Sequence, residues 1–372
     1  MTILSVEKIN EALAGVIDPE IHRPITDLGM VENVSLAKNG TVTVSILLTT
    51  SICPLRDTIT AEVKKELFKL EGVSAVNINI GVMNDEQRKK LRETLRGGAP
   101  ERVIPFAQKD NATHVYAISS GKGGVGKSSM TANLAVSLAR LGLKVGIVDA
   151  DIYGFSIPQM MGVTTPPQAV DKMIIPPVAH GIKVISIGMF MEENTPVVWR
   201  GPILHRALEQ FFADVYWGDL DVLLIDLPPG TGDVAISVAQ LIPKSEIVVI
   251  TTPQTAAAEV AERAGLMAKQ TKQKVVGIIE NMSYLQLPDG TKMDLFGTGG
   301  GETLSARLSG LLEDDVPLLA RIPLEQRLRE GGDSGTPIAA AKTDSPAKDE
   351  IFRAARILAA RVQKEGKASP AE

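Results

Sequence analysis

Eight consecutive residues, Gly121-Lys122-Gly123-Gly124-Val125-Gly126-Lys127-Ser128, have the spacing G-x-x-x-x-G-K-[ST]. That spacing suits a backbone that must wrap phosphate. Glycines let the chain curl until successive N–H groups point at the same oxygens. A lysine after the last glycine reaches the β and γ phosphates, and the neighbouring hydroxyl can ligate Mg²⁺. An apolar run, Val115–Ser119, precedes the loop, and a helix-competent segment, Ser129–Arg140, follows it. A helix starting there directs its partial positive charge at the same anion. Gly121, Lys122, Gly123, Gly124, Val125, Gly126, Lys127, Ser128 and Ser129 are therefore the expected nucleotide contacts. Lys127 is also a catalytic candidate, and Ser128 a magnesium ligand.

Carboxylates end two other apolar runs. Val222-Leu223-Leu224-Ile225-Asp226 is four apolar residues followed by an acid, the pattern of a strand that delivers a carboxylate to Mg²⁺ through water. Val145-Gly146-Ile147-Val148-Asp149-Ala150-Asp151 ends another, with Asp149 read as either a magnesium or a structural group. Pro228-Pro229-Gly230-Thr231-Gly232-Asp233 follows Asp226, and its glycines allow the backbone to rearrange when a γ-phosphate leaves. Asn281 lies just past the run Val275–Ile279, at a strand end where ligands bind. No Asn-Lys-x-Asp guanine signature occurs, which favours ATP over GTP.

The elements that must position these groups can be read from periodicity. Runs rich in Val and Ile stand at Val115–Ser119, Val145–Asp149, Lys183–Ile187, Val222–Leu227, Ile247–Thr251, Val275–Ile279 and Leu318–Ile322. Several are apolar without alternation, as strands buried on both faces are. Helical segments separate them. The pattern predicts an α/β fold, a doubly wound and mostly parallel sheet over residues 113–366, with ligands at the carboxyl ends of the strands. A smaller α-β-β-α-β unit is predicted over residues 1–82: a helix at 3–16, strands at 31–36 and 41–48, a helix at 54–70 and a strand at 73–80. Lys38-Asn39-Gly40 supplies its hairpin turn. Residues 83–112 are charged and Gly/Pro-containing and read as a linker without a core of its own. Residues 367–372 read as a disordered tail. A helix at 347–365 places Ile351, Ala355, Leu358 and Val362 on one face and is expected to pack on the core.

Composition narrows the function classes. With 44% apolar residues the chain can build large cores, and with 4% aromatics it lacks a stacking platform for bases. A net charge of −5 argues against binding nucleic acid. No apolar stretch approaches the ~18 residues of a membrane span, so no membrane partner is expected. A single cysteine, Cys53, excludes internal disulfides and fits a cytoplasmic location. Cys53 starts a helix, where a thiol is acidified, so a reactive or ligating thiolate stands beside the alternative of a buried apolar side chain.

Lys122, placed directly after the first glycine, resembles the signature lysine of the deviant Walker A ATPases, the group of MinD, ParA, the nitrogenase iron protein and the arsenite pump. The resemblance implies a homodimer in which Lys122 reaches the partner's nucleotide and is catalytic. It also places Asp151 in switch I, positioning the attacking water, and Asn281 at the adenine edge. Asp151-Ile152-Tyr153-Gly154-Phe155-Ser156-Ile157-Pro158, Trp199-Arg200-Gly201-Pro202 and Glu280-Asn281-Met282-Ser283-Tyr284 resemble the Mrp/ApbC iron–sulfur cluster carrier ATPases. Asp18-Pro19-Glu20, Asp27-Leu28-Gly29 and Thr49-Thr50-Ser51-Ile52-Cys53-Pro54-Leu55 resemble the small domain of iron–sulfur assembly factors. What this implies is an ATPase that uses ATP and Mg²⁺, binds a [4Fe–4S] cluster and hands it to apo client proteins. One departure stands out. The family usually has two close cysteines after Asn-Met-Ser-Tyr, whereas here Leu285-Gln286-Leu287-Pro288-Asp289-Gly290-Thr291-Lys292-Met293 holds none, and Asp289-Gly290 reads as a hairpin turn. Cys53 is then the remaining candidate cluster ligand. The alternatives are a MinD/ParA-like positioning ATPase and a metal-free ATP-switched regulator.

Overall fold

The computed structural model describes residues 4–18, 23–48, 56–84, 86–87, 90–91, 103–152, 154–170, 173–190, 201–287 and 289–366. Cys53 and the expected tail 367–372 lie outside them. Contacts divide the chain into two units, Met1–Glu101 and Arg102–Glu372.

In the first unit, helix α1 (Val6–Leu13) is capped by Ser5, whose side chain accepts from the Lys8 N–H. Strands β1 (Val31–Leu36) and β2 (Thr41–Leu48) form the expected hairpin. Gly40 sits at φ +79°, the left-handed region that the turn requires. Strand β3 (Ala75–Val82) pairs parallel to β2, so the connection has to cross over, and helix α2 (Arg56–Leu67) supplies the crossover. Ile9, Leu13, Val44, Ile46, Val63 and Leu67 bury the apolar faces of these elements in one core.

The buried apolar residues described in segment 83–112 divide between the two cores. Met83 and Leu91 pack into the core of the first unit, while Ile104 and Phe106 pack into that of the second. Sparse apolar residues thus anchor the two ends of a charged segment.

The second unit is built on an eight-stranded sheet. Its strands are β4 (His114–Ser120), β5 (Val145–Asp149), β6 (Val178–Ala179), β7 (Ile182–Ser186), β8 (Val222–Asp226), β9 (Glu246–Thr251), β10 (Val275–Glu280) and β11 (Leu318–Arg321). Their spatial order is β11-β10-β9-β4-β8-β5-β7-β6. All pairings are parallel except that of the short edge strand β6 with β7. β6 and a second short antiparallel pair, Gln168–Val170 with Met173–Ile175, were not legible from periodicity, because two or three residues are too few to show a period.

Alternate residues of the central strands enter different cores. Val115, Ala117, Leu223, Ile225, Ile247 and Val249 belong to one; Tyr116, Ile118, Leu224, Val248 and Ile250 belong to the other. This is why the strands read as unbroken apolar runs. Helices α4 (Gly201–Ala213), α5 (Asp233–Leu241), α6 (Thr255–Thr271) and α7 (Gly300–Leu312) cover the first face. Helices α3 (Lys127–Arg140), α8 (Gln326–Asp333) and α9 (Pro346–Gly366) cover the second.

Helix α9 is part of that second core, as its spacing predicted. Ile351, Ala355 and Leu358 are fully buried, and the buried Tyr116 hydroxyl donates to the Leu358 carbonyl at 3.1 Å. Leu358→Ala is accordingly expected to cost about 2–5 kcal/mol in chemical denaturation. A loss below about 1 kcal/mol would show that α9 is dispensable to the core.

Candidate functional site

Strand β4 ends at Ser120 and α3 starts at Lys127, so Gly121–Gly126 bridges the two at the carboxyl edge of the sheet. Gly124 and Gly126 have φ of +79° and +82°. Both need glycine on backbone grounds. Gly126 needs it sterically as well, since a Cβ there would lie 2.4 Å from Asn281 Nδ2.

Asn281, just past β10, is 2% exposed. Its Nδ2 donates to the Val125 carbonyl at 2.9 Å, so the side chain braces the loop. Its Oδ1 is buried and has no hydrogen-bond partner among the described residues. The bracing contact was not foreseen from sequence; the free acceptor is what the expected contact with an adenine amino group would use.

The charged centre lies at the start of α3. Lys127 Nζ is 2.7 Å from Asp226 Oδ2, and the Ser128 hydroxyl donates to the same oxygen at 2.6 Å. The Thr131 hydroxyl donates to Asp226 Oδ1, also at 2.6 Å. Asp151 lies farther from Lys127, Oδ2 to Nζ at 3.8 Å. Lys127, Asp226 and Asp151 are all buried. Burying these charges is tolerable because each is paired, and Lys127 and Asp226 are hydrogen-bonded as well. Parallel pairing sets this geometry. Asp226 stands in register with Ile118 of β4 and Asp149 of β5, two residues short of the loop.

Asp149 does something other than face the phosphate site. Its Oδ1 accepts from the Asp151 N–H at 3.2 Å, and its Oδ2 accepts from the Ile157 N–H at 3.3 Å and the Ser186 hydroxyl at 3.1 Å. It therefore ties both ends of the Asp151–Ile157 loop to the sheet. Burial, and then the neighbouring charge of Asp226, push its carboxyl up to about 7. Of Asp149's two possible roles, the contacts are those of the structural one.

Lys122 Nζ donates to Gln254 Oε1 at 2.7 Å. Gln254 follows β9 and opens α6. The loop after Asp226 is tied back to the end of β4, just before the phosphate loop, because the Gly230 N–H donates to the Ser120 carbonyl at 2.8 Å. Beside these loops opens a cavity of about 520 Å³ whose lining includes Asp151, Gly201, Pro228, Pro229 and Asp233. It gives the expected switch segments room to move.

The donor set near Lys127 suits a hard divalent cation. A serine hydroxyl and a carboxylate oxygen 2.6 Å apart are hard oxygen donors of the kind Mg²⁺ takes, with phosphate and water completing the shell. Among the described residues no cluster of three or more His, Cys, Asp or Glu side chains is arranged around a metal position. Residues Leu285–Gln286 and Lys292–Met293 form the anticipated hairpin, with Gly290 at φ +86°. The hairpin has no thiolate, so it does not fit an iron–sulfur cluster, which takes about four such ligands.

This geometry agrees with what the chain resembles. Residues 111–359 match the sequence pattern of the ParA group described as NUBPL iron-transfer P-loop NTPases. The chain belongs to that family. Residues 6–80 match a second family, described as iron–sulfur cluster assembly proteins. A relative from Mycobacterium leprae, named an iron–sulfur cluster carrier protein, is 57% identical over 95% of this chain and 92% of its own. One of the same name from Bacillus subtilis is 40% identical over 86% of this chain and 88% of its own. A nucleotide-binding protein from Archaeoglobus fulgidus, solved in complex with ADP, is 35% identical over 66% of this chain and 97% of its own, with a TM-score of 0.54.

In this P-loop NTPase the structure brings Lys127, Ser128, Asp151 and Asp226 together, with Gly121–Gly126 beside them. Sequence reasoning missed Thr131 and Gln254. Thr131 lies one helical turn after Lys127, and that i, i+4 spacing was the available signal. Gln254 had no signal beyond its place just after a strand.

Two outcomes follow from the geometry. Gly126→Ala is expected to weaken nucleotide binding at least ~10-fold, because it meets both the Asn281 amide and the left-handed backbone. The same substitution should cost less in an Asn281→Ala background than in the parent chain, measured by calorimetry; an equal cost in both would remove Asn281 from the cause. The raised carboxyl of Asp149 holds its proton in the fold at pH values where the unfolded chain has lost it. Its contribution to stability is complete below about pH 4 and is lost as pH rises towards and through 7. Asp149→Asn should therefore gain stability relative to the parent chain between pH 4 and 8, followed by denaturant titration at each pH. A difference independent of pH would refute that titration.

Proposed function

We propose that this chain is an ATP-hydrolysing carrier or assembly factor that delivers iron–sulfur clusters to apo client proteins, working as a homodimer. The observation that carries the ATPase half is the convergence of Lys127, Ser128 and Asp226 at the start of α3 beside a glycine loop in the conformation phosphate binding needs. Nucleotide would draw Lys127 from Asp226 to the phosphates, and Mg²⁺, held by Ser128 and through water by Asp226, would neutralise the transferring group. Asp151, on the loop pinned by Asp149, would orient the attacking water. Asn281, with its Nδ2 engaged by the phosphate loop and its Oδ1 free, would accept from the amino group of adenine, which guanine lacks at that edge. Lys122 would leave Gln254 and reach the nucleotide of the second subunit, giving charge neutralisation only in the dimer.

The cargo half is supported by the names of the relatives and by the N-terminal family match. The hairpin site is not the place for it. A homodimer has two cysteines, both Cys53, and the remaining thiolates would come from the client or a small thiol. The missing hairpin thiolates favour one other reading, an ATP-switched regulator that carries no metal.

Lys127→Ala should lower ATP turnover by at least ~100-fold. Mixing Lys122→Ala with Asp151→Ala should restore part of the activity if Lys122 acts across the dimer. Anaerobic reconstitution with iron and sulfide should then leave iron and labile sulfide on the chain after gel filtration, lost in Cys53→Ala. Turnover without retained iron would select the metal-free reading.

A further inference from the structure

Asp226 has two carboxylate oxygens, and they are used differently. Oδ2 is shared by Lys127 and Ser128, the two groups that nucleotide and cation would draw away. Oδ1 is held by Thr131 alone among the bonds described, at 2.6 Å. Thr131 and Asp226 are both fully buried. The hydroxyl has one proton and a second acceptor in reach, the Lys127 carbonyl at 3.0 Å. The shorter bond to the ionised oxygen is the stronger. Thr131 also lies on rigid ground, inside α3 and packed against the sheet.

We propose that Thr131 is a positioning residue for the divalent cation. By fixing Oδ1, it fixes the plane of the carboxylate and so the direction in which Oδ2 would meet, through water, the cation held by Ser128. When Lys127 leaves for the phosphates, Thr131 is the donor that still holds Asp226 in place. Without that hydroxyl the buried Oδ1 would have to find another donor, and rotation of the carboxylate towards Ser128 or Lys127 would misalign Oδ2. Groups behind a metal ligand act in this way, and losing one weakens metal binding about 10- to 100-fold.

This inference rests on nucleotide and cation binding at the loop, so the test separates the two. Mn²⁺ is titrated into the full chain with equimolar ADP, and free Mn²⁺ is followed by electron paramagnetic resonance against an ADP blank. Thr131→Val is expected to weaken Mn²⁺ binding about 10- to 100-fold, with Thr131→Ser within about threefold of the parent chain. ADP affinity in EDTA, where no cation is present, should be unchanged. If Thr131→Val does not fold, Thr131→Ala makes the same comparison. Parent-like Mn²⁺ binding in the valine or alanine variant overturns the role of Thr131. So does an equal loss of metal-free ADP affinity, which would mark general damage to the loop. A parent chain that takes up no Mn²⁺ above the blank overturns both this role and the nucleotide reading beneath it.

Discussion

A carboxylate with no solvent exposure is costly unless its charge is met on every side, and Asp226 is met by an ammonium, two hydroxyls and little else. That requirement organises the second unit. The ammonium and both hydroxyls come from the first turns of one helix, at Lys127, Ser128 and Thr131. The helix must therefore start directly over the end of β8, which needs β4 and β8 to be neighbours, parallel and in register. A slip of one residue would turn the carboxylate to the opposite face of the sheet and leave Lys127 buried without its partner. The phosphate loop is thus held in place by the same ion pair that, in the proposed mechanism, nucleotide would open. Asp149 shows the other side of the constraint. Burial, and then the neighbouring charge of Asp226, push the Asp149 carboxyl towards neutrality, and there it anchors a loop.

The other carboxyl-end loops are locked to this centre by contacts that leave no room for side chains. Glu280 and Asn281 are successive residues at the end of β10 with different targets. Asn281 holds the phosphate loop, while Glu280 accepts from the Gly301 N–H at 2.6 Å and from the Ser283 hydroxyl at 2.9 Å. Gly300 lies so close to the carbonyls of Thr252 and Pro253 that a Cβ would overlap them. The next residue, Gln254, holds Lys122. Asn281 thus touches the phosphate loop and Gln254 touches Lys122, and the residues just before Gln254 pack against the start of α7.

Much of this was legible in the sequence, for a physical reason. Strands buried on both faces leave continuous apolar runs, so β5 was read to the residue and β4, β8, β9 and β10 to within one. The phosphate loop is a local device, and local spacing suffices to find it. The role of Thr131 was hidden because its partner lies 95 residues away, and that of Asn281 because Val125 lies 156 away. Such pairings depend on strand order, which composition and periodicity do not encode. The linker reading failed to show its anchors for a related reason. Leu91 and Phe106 are among a few apolar residues in a charged segment, and only their burial in separate cores identifies them as anchors.

The hairpin after Tyr284 bears on where a cluster could be held. A loop that ligates iron must offer soft anionic donors with free lone pairs. This one is closed on itself. The Leu287 N–H donates to the Thr291 carbonyl, and the Thr291 N–H donates to Asp289, where hydrogen bonds from Thr291 hold the carboxyl below its usual range. Lys292 sits over the Tyr284 ring at 4.1 Å, placing a cation where a metal would need an anion. Met293, Leu295 and Phe296 then leave apolar surface exposed. Hard, already bonded oxygen and a positive charge are the wrong chemistry for iron and sulfide. A cargo carried by this chain has to meet sulfur elsewhere, and Cys53 in the first unit is the one thiol the sequence provides. Nucleotide and cargo would then be handled by separate units of the chain.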